Sequence, residues 1–141
     1  MRRLFSVRSL LSGIAVAACV AVAGATPASA APTESIEIVS ATRVAKGAAV
    51  DLATVVVCES GYSAFVSGSI TQRAGRTIAQ GYGGTQVACT GAEQAATVRI
   101  VAQSGGAAFK KGTAIASAEL QLCTEFECRF VQTSETVTVS G

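Results

Sequence analysis

The sequence predicts an all-β fold, an immunoglobulin-like antiparallel β-sandwich of seven to nine short strands with two disulfides. Three observations predict it. Short runs rich in Val, Ile and Thr recur along the chain, glycines interrupt them at regular intervals, and no stretch shows the apolar period of a helix. Because a parallel sheet needs crossover helices between its strands, the strands are expected to be antiparallel. A small closed β-barrel is the alternative.

The chain begins with a segment that predicts export. Three arginines within its first eight residues give it a basic start, residues 10–23 form an apolar run, and residues 28–30 (Ala-Ser-Ala) form a small-residue cleavage motif. We expect cleavage after Ala30, so that residues 1–30 are a removed signal peptide and residues 31–141 are a single secreted domain. No membrane span is expected, because the apolar run is short and the cleavage motif follows it closely.

A lipoprotein signal is the alternative interpretation of this leader. Residues 16–19, Val-Ala-Ala-Cys, resemble a bacterial lipoprotein box, in which Cys19 would be acylated and the next residues would form a tether. The apolar stretch continues through Val20 and Val22, and an apolar stretch makes a poor tether. Cleavage after Ala30 is therefore the interpretation that we favour.

Removal of the leader reverses the charge balance. The whole chain has 11 basic and 9 acidic residues, and loss of the three leader arginines leaves 8 basic residues against the same 9 acids. The mature chain therefore carries a formal net charge of −1. Without a positive field it is not expected to bind nucleic acid.

The predicted strands follow the apolar runs, and glycine-containing turns separate them. Nine segments are predicted to be extended: 35–41, 49–58, 63–71, 77–81, 85–90, 95–103, 113–123, 126–132 and 135–139. Turns are predicted at Lys46-Gly47, Ser60-Gly61, Ala74-Gly75, Gly83-Gly84, Gly91, Gly105-Gly106 and Lys111-Gly112. In the seventh segment every second residue from Ala114 to Leu122 is apolar, which predicts one buried and one solvated face.

The four cysteines beyond the leader form an even set, which in a short exported chain indicates two disulfides. Cys123 and Cys128 bracket four residues, and a hairpin loop of that length sets two residues opposite each other at bonding distance. This pairing leaves Cys58 to bond with Cys89. In the chain-entropy model the longer closure, about 31 residues, contributes ~3.7 kcal/mol and the shorter one ~2.2 kcal/mol.

Four segments of the predicted mature domain carry a recognisable pattern: VVVC (55–58), VSGSITQ (66–72), CTGAE (89–93) and FKKGTA (109–114). The pattern resembles a family of small exported actinobacterial proteins catalogued as a domain of unknown function. The resemblance implies export, a β fold and a disulfide, and it implies no activity. That family tends to place Asp where Thr90 stands and His and Trp shortly after Glu93, whereas this chain contains neither His nor Trp. If those positions carry the family's function, the resemblance implies that this member has lost or altered it.

The loop between Cys123 and Cys128 carries a second, weaker resemblance. Its sequence, Cys-Thr-Glu-Phe-Glu-Cys, is similar in spacing and first residue to the short disulfide loop of the neocarzinostatin family. Those proteins are exported β-sandwich apoproteins that hold an enediyne chromophore in a cleft, so the resemblance implies a small-ligand carrier. The chain departs from that family at its other disulfide, because Cys58 and Cys89 are far apart whereas the family's second bridge closes a short loop.

The inventory of reactive residues argues against an enzyme. The chain has no histidine, which excludes the Ser-His-Asp triad, Cys-His pairs and histidine-held metals. Disulfide formation leaves no thiolate in the mature chain, so no metal or cofactor is expected. Glu125 and Glu127 lie two residues apart near a hairpin tip, where two glutamates are ordinarily solvated rather than placed across a cleft.

Aromatic residues beside predicted loops give the one indication of a binding surface. The candidate surface consists of Tyr62, Tyr82, Glu125, Phe126 and Glu127. The favoured interpretation is nevertheless that the phenylalanines fill the core and the tyrosines cap it, because a domain with few large side chains needs them inside.

These observations predict a secreted, non-catalytic binding or interaction module, whose partner is an extracellular protein, a glycan or a small ligand. A small-ligand carrier is the alternative, and a hydrolase is disfavoured. A pocket of several hundred Å³ lined by Tyr82, Phe126 or Phe130 would favour the carrier. A filled sandwich without a cleft would favour the interaction module.

Overall fold

The structure is a computed structural model and describes residues 34–141. It confirms an all-β fold for these residues. The strands are β1 (Ser35–Val44), β2 (Ala49–Val57), β3 (Ser63–Ala74), β4 (Thr77–Ala88), β5 (Glu93–Ala102), β6 (Gly112–Cys123) and β7 (Cys128–Ser140), with one 3-10 turn at Ala45–Gly47. The expected leader, its cleavage site and the lipoprotein alternative at Cys19 lie outside the described residues.

Long antiparallel ladders divide the strands into two sheets. One sheet has the order β1-β2-β5, and the other has the order β4-β3-β6-β7. Two short seams, each of two residue pairs, join them: β4 meets β5 at Tyr82 and Val101, and β1 runs parallel to β7 at Ala41 and Val139. The strand order is therefore a closed ring. If the two seams are taken as strand pairing, the fold is a closed barrel. If they are taken as contacts between two sheets, it is a β-sandwich.

Alternation along the strands fills the interior. The expected buried face of β6 is confirmed, since Ala114, Ala116, Ala118, Leu120 and Leu122 are all buried. The same period buries alternate residues of β2, β3 and β5, mostly Val, Ile and Leu. Burial of this many aliphatic side chains is the main stabilising contribution to such a fold.

The turn predicted at Gly83-Gly84 is wrong, because β4 runs straight through it. A Cβ atom on Gly81 would lie 2.3 Å from the carbonyl oxygen of Val101, and one on Gly83 would lie 2.0 Å from that of Arg99. These two glycines therefore let β4 approach the backbone of β5 at the seam. Glycine is needed at these positions for this close approach and not for a turn. A second expected break, at residues 133–134, is also absent, and β7 is continuous there.

The segment between β5 and β6 closes one end of the ring. Its Phe109 is buried, and the Phe109 N–H donates to the carbonyl oxygen of Gly47 at 2.9 Å. Gln72 of β3 is also buried, and its side-chain amide bonds the main chain of Lys110. An aromatic side chain and a buried amide thus anchor a connection that has no strand of its own.

Both disulfides lie at the opposite end of the four-stranded sheet, and their predicted pairing is confirmed. Cys58 and Cys89 join the turn after β2 to the turn after β4, with Cα atoms 5.2 Å apart. Cys123 and Cys128 close the β6–β7 hairpin, with Cα atoms 4.1 Å apart. Ser63 pairs with both Ala88 and Cys123 in the ladders, which places the two bridges at the same end.

Candidate binding surfaces

The outer face of the four-stranded sheet carries a groove of about 510 Å³. Ladder registers place its central side chains in rows that cross all four strands. One row is Tyr82, Ser69, Ser117 and Ser134, and the next is Gly84, Ser67, Glu119 and Gln132. We call this depression the outer groove. Short side chains (Ser67, Ser69, Ser117 and Ser134) and longer ones (Tyr82, Glu119 and Gln132) both line it.

Polar side chains of the outer groove already bond one another. The hydroxyl oxygens of Ser117 and Ser134 lie 2.9 Å apart, and either can donate. Beside them the amide of Gln132 donates to a carboxylate oxygen of Glu119. Each hydroxyl keeps further donor or acceptor capacity, and so does the Glu119–Gln132 pair. The groove therefore offers several hydrogen-bonding groups within a small area.

Tyr82 stands at the β4 side of the outer groove and is 64% exposed. It also lines a second depression of about 340 Å³, which extends across the seam to Val101 and Gln103. The exposed side chain of Val101 pairs with Tyr82 in the ladder. An exposed tyrosine between two depressions presents a ring for stacking and a hydroxyl for hydrogen bonding.

The loop between the hairpin cysteines forms a second surface, which we call the acidic tip and define as Glu125, Phe126 and Glu127. Phe126 is 93% exposed. Thr124 fixes the loop, since its N–H donates to the carbonyl oxygen of Glu127 at 2.8 Å. The Thr124 hydroxyl oxygen accepts from the N–H groups of Phe126 and Glu127 at 3.3 and 3.2 Å. The tip is thus an ordered loop with an apolar side chain at its end.

Arg129 organises the base of the acidic tip. Its Nη1 lies 2.9 Å from Oε1 of Glu34, and its Nε lies 3.7 Å from Oε1 of Glu127. The guanidinium also sits 4.7 Å from the centre of the Tyr62 ring and donates to the Tyr62 hydroxyl. Through these contacts Arg129 connects the β6–β7 hairpin to the start of β1 by its ion pair with Glu34. It connects the hairpin to the turn after β2 by its cation–π contact with Tyr62.

The expected binding residues thus separate into two places. Tyr62 lies with Glu127 around Arg129 at the base of the acidic tip, whereas Tyr82 lines the outer groove. The groove's serines were not among the sequence candidates. Their signal was available, because Ser67 and Ser69 alternate with buried residues on β3, but only the register shows that serines of β6 and β7 join them.

The prediction that phenylalanines fill the core is wrong for three of the four described ones. Phe109 is buried, but Phe65, Phe126 and Phe130 are 37%, 93% and 57% exposed. Phe65 and Phe130 occupy outward positions of their strands, opposite the aliphatic residues that fill the interior. Both pair with Gln121 in the ladders, so they flank one side of the sheet between the groove and the tip.

The shifted pKa values lie on the other sheet. Arg99 donates from Nε and Nη2 to the two carboxylate oxygens of Asp51 at 2.8 and 2.9 Å. These hydrogen bonds hold the pKa of Asp51 below its ordinary value of 3.8, partial burial opposes the shift, and the positive charge of Arg99 adds to it. The same pair raises the pKa of Arg99. It is a cross-strand ion pair between β2 and β5, and neither residue lines the outer groove.

Among residues 34–141 there is no cluster of three or more His, Cys, Asp or Glu side chains placed to hold a metal ion. Within the same residues, no helix has the length and apolar character needed to span a bilayer. Compared with known proteins, the chain matches no family model, no curated protein and no solved structure.

Proposed function

We propose that this protein is an exported, non-catalytic binding module of immunoglobulin-like architecture that recognises a polyhydroxylated ligand, such as a glycan, in the outer groove. The observation that carries the proposal is the row of hydroxyl side chains beside the exposed ring of Tyr82. Export is supported by the sequence of the leader and by two disulfides, which persist in oxidising compartments.

The chemistry of the groove suits a sugar. A sugar presents hydroxyl groups that both donate and accept, and so do the side chains of Ser117 and Ser134. The amide of Gln132 and the carboxylate of Glu119 can exchange part of their mutual bond for bonds to a ligand. The Tyr82 ring offers an apolar surface for the C–H face of the sugar. A volume of about 510 Å³ is within the usual range for small-ligand sites.

The same geometry supports binding rather than hydrolysis. Paired-carboxylate hydrolases need two acids facing each other across the scissile bond. Among the residues that line the outer groove, Glu119 is the one acid, and its carboxylate accepts from Gln132. The Glu119 carboxylate therefore serves as a hydrogen-bond acceptor, and no second acid among the lining residues faces it as hydrolysis would require.

A carrier for an apolar chromophore is less well supported than a polar-ligand site. Such a carrier needs a concave apolar pocket, and the interior of the ring is filled by aliphatic side chains such as Leu52, Val66 and Ile70. The groove beside Tyr82 has the several hundred Å³ expected of a ligand site, but hydroxyl, amide and carboxylate groups line it alongside apolar surface. This mixed lining favours a ligand that combines hydrogen-bonding groups with apolar C–H surface.

Titration of isotope-labelled protein with neutral, amino-sugar and acidic oligosaccharides tests the proposal by NMR. We expect one class to shift the side-chain amide signal of Gln132 and the backbone signals around Ser117. Y82A and Q132A should weaken that binding by at least about tenfold. The control is T97A, an exposed position on β5 of the other sheet, which should bind as the wild type does. Absence of groove shifts with every class, or equal loss in T97A, would contradict the proposal.

A further inference from the structure

Ligand binding in the outer groove gives no role to the acidic tip. Phe126 is the most exposed of the large apolar side chains in the described residues, and it projects at the end of a hairpin. Its exposure brings no folding energy, because burial in the core is what makes a phenylalanine stabilising. Aromatic side chains, phenylalanine among them, are however enriched in protein interfaces relative to the rest of the surface.

The tip is pre-organised. The disulfide between Cys123 and Cys128 closes its base, and the Thr124 side chain accepts two hydrogen bonds from the loop's main chain. A third bond joins Thr124 to Glu127 through the main chain. A loop that is already ordered loses little conformational entropy on association, so more of the gain from burying Phe126 is available as affinity.

The charges around Phe126 specify the partner's complementary surface. Glu125 and Glu127 flank it, and Glu34 lies at the base of the tip. Among residues 34–141, Arg129 is the cation that pairs with this cluster, through Glu34 and Glu127. Three acids against one arginine leave the tip negative. A basic rim would be attracted to it, and an anionic lipid surface would be repelled.

We propose that the acidic tip is a docking point for an extracellular protein, with Phe126 inserting into an apolar pocket rimmed by Lys or Arg. The interface is separate from the outer groove, so the module binds a protein at its tip and a polyhydroxylated ligand on its sheet. Loss of one function leaves the other, because Tyr82 and the tip belong to different surfaces.

A site-specific photocrosslink tests whether the tip meets a protein. The photoreactive amino acid p-benzoyl-phenylalanine replaces Phe126 in the exported protein, and the producing culture is irradiated. We expect one discrete protein adduct that is absent when the same amino acid replaces Ile78, an exposed apolar residue near the start of β4. Lipid adducts alone, a covalent dimer of this chain alone, no adduct, or equal adducts at both positions would overturn the proposal.

Binding measurements with the purified adduct partner test the chemistry of docking. F126A should weaken binding by at least about tenfold, as expected for a central aromatic anchor, and E125Q should weaken it severalfold while reducing its salt dependence. I78A and the groove variant Y82A should bind as the wild type does. Unchanged affinity in F126A, or equal loss in I78A, would overturn the proposal. The melting temperature of F126A should match the wild type, since the side chain is exposed.

Discussion

Gln72 bonds the main chain of Lys110 through both ends of its side-chain amide. Its Nε2 donates to the Lys110 carbonyl oxygen at 2.7 Å, and its Oε1 accepts from the Lys110 N–H at 2.8 Å. The same Nε2 lies 3.3 Å from the carbonyl oxygen of Gly112. The Gln72 amide thus gives the main chain of Lys110 the two hydrogen-bond partners that a neighbouring strand would otherwise supply. It fixes the β5–β6 connection beside the buried Phe109.

Replacement of this amide should therefore destabilise the fold. Q72L keeps the volume but leaves the N–H and carbonyl groups of Lys110 without their partner, and we expect a loss of about 2–4 kcal/mol in the free energy of unfolding. The matched control is Q80L, because Gln80 donates to Gln103 at 2.7 Å on the exposed surface. Q80L should change stability by less than about 0.5 kcal/mol. Urea unfolding with disulfides intact measures both, and equal effects would contradict this account.

The two disulfides should differ in what their removal costs. The chain-entropy model assigns about 1.5 kcal/mol more to the Cys58–Cys89 bridge, which closes 31 residues of separation against 5 for the hairpin bridge. Cys58 is also fully buried in the core, so its replacement adds a packing loss. C58A/C89A should melt roughly 5–10 °C below C123A/C128A. Calorimetry of both double variants checks the order, and equal melting temperatures would contradict it.

Local pattern predicted where most of the strands lie and which cysteines close the hairpin, although it divided β4 and β7 into two segments each. Alternation from Ala114 to Leu122 placed a buried face on β6, and the spacing of Cys123 and Cys128 identified a hairpin bridge. Both are short-range features, since strand period and loop length are encoded by consecutive residues. The outward positions of Phe65 and Phe130 follow from the same period, but the small number of large side chains suggested the opposite.

These local patterns did not predict contacts between residues that are far apart in the chain. The outer groove depends on the pairing of β3 with β4 and β6, which brings Ser69 beside Tyr82 and Ser117. Similarly, the Gly83-Gly84 pair suggests a turn, whereas in the structure Gly83 lies against the backbone of Arg99 on β5. Register and sheet closure depend on side chains far apart in the chain, so local patterns in one sequence do not reveal which strands pair.

The glycines of β4 should differ in their tolerance of a methyl group. A Cβ on Gly83 would lie 2.0 Å from the backbone carbonyl oxygen of Arg99, so G83A must displace β4 from β5 at the seam. A Cβ on Gly84 would lie 2.3 Å from the Phe65 ring, which is partly exposed and can rotate away. We expect G83A to cost about 1–3 kcal/mol and G84A clearly less. Thermal unfolding compares them, and an equal or larger loss in G84A would contradict the seam argument.

The pair of Asp51 and Arg99 predicts a small acid-dependent contribution to stability. Hydrogen bonds from Arg99 lower the folded-state pKa of Asp51 below 3.8, whereas the unfolded chain keeps the ordinary value. The unfolded state therefore binds the proton more tightly. The contribution is complete above the unfolded-state pKa and is lost as the pH falls through the folded-state pKa. R99Q should raise the pKa of the Asp51 carboxyl toward 3.8 in an NMR titration, and its stability should converge with the wild type in acid. R73A, an exposed arginine on β3, should leave the Asp51 titration unchanged. A wild-type Asp51 that titrates at 3.8 or above would show that the pair does not stabilise the folded state.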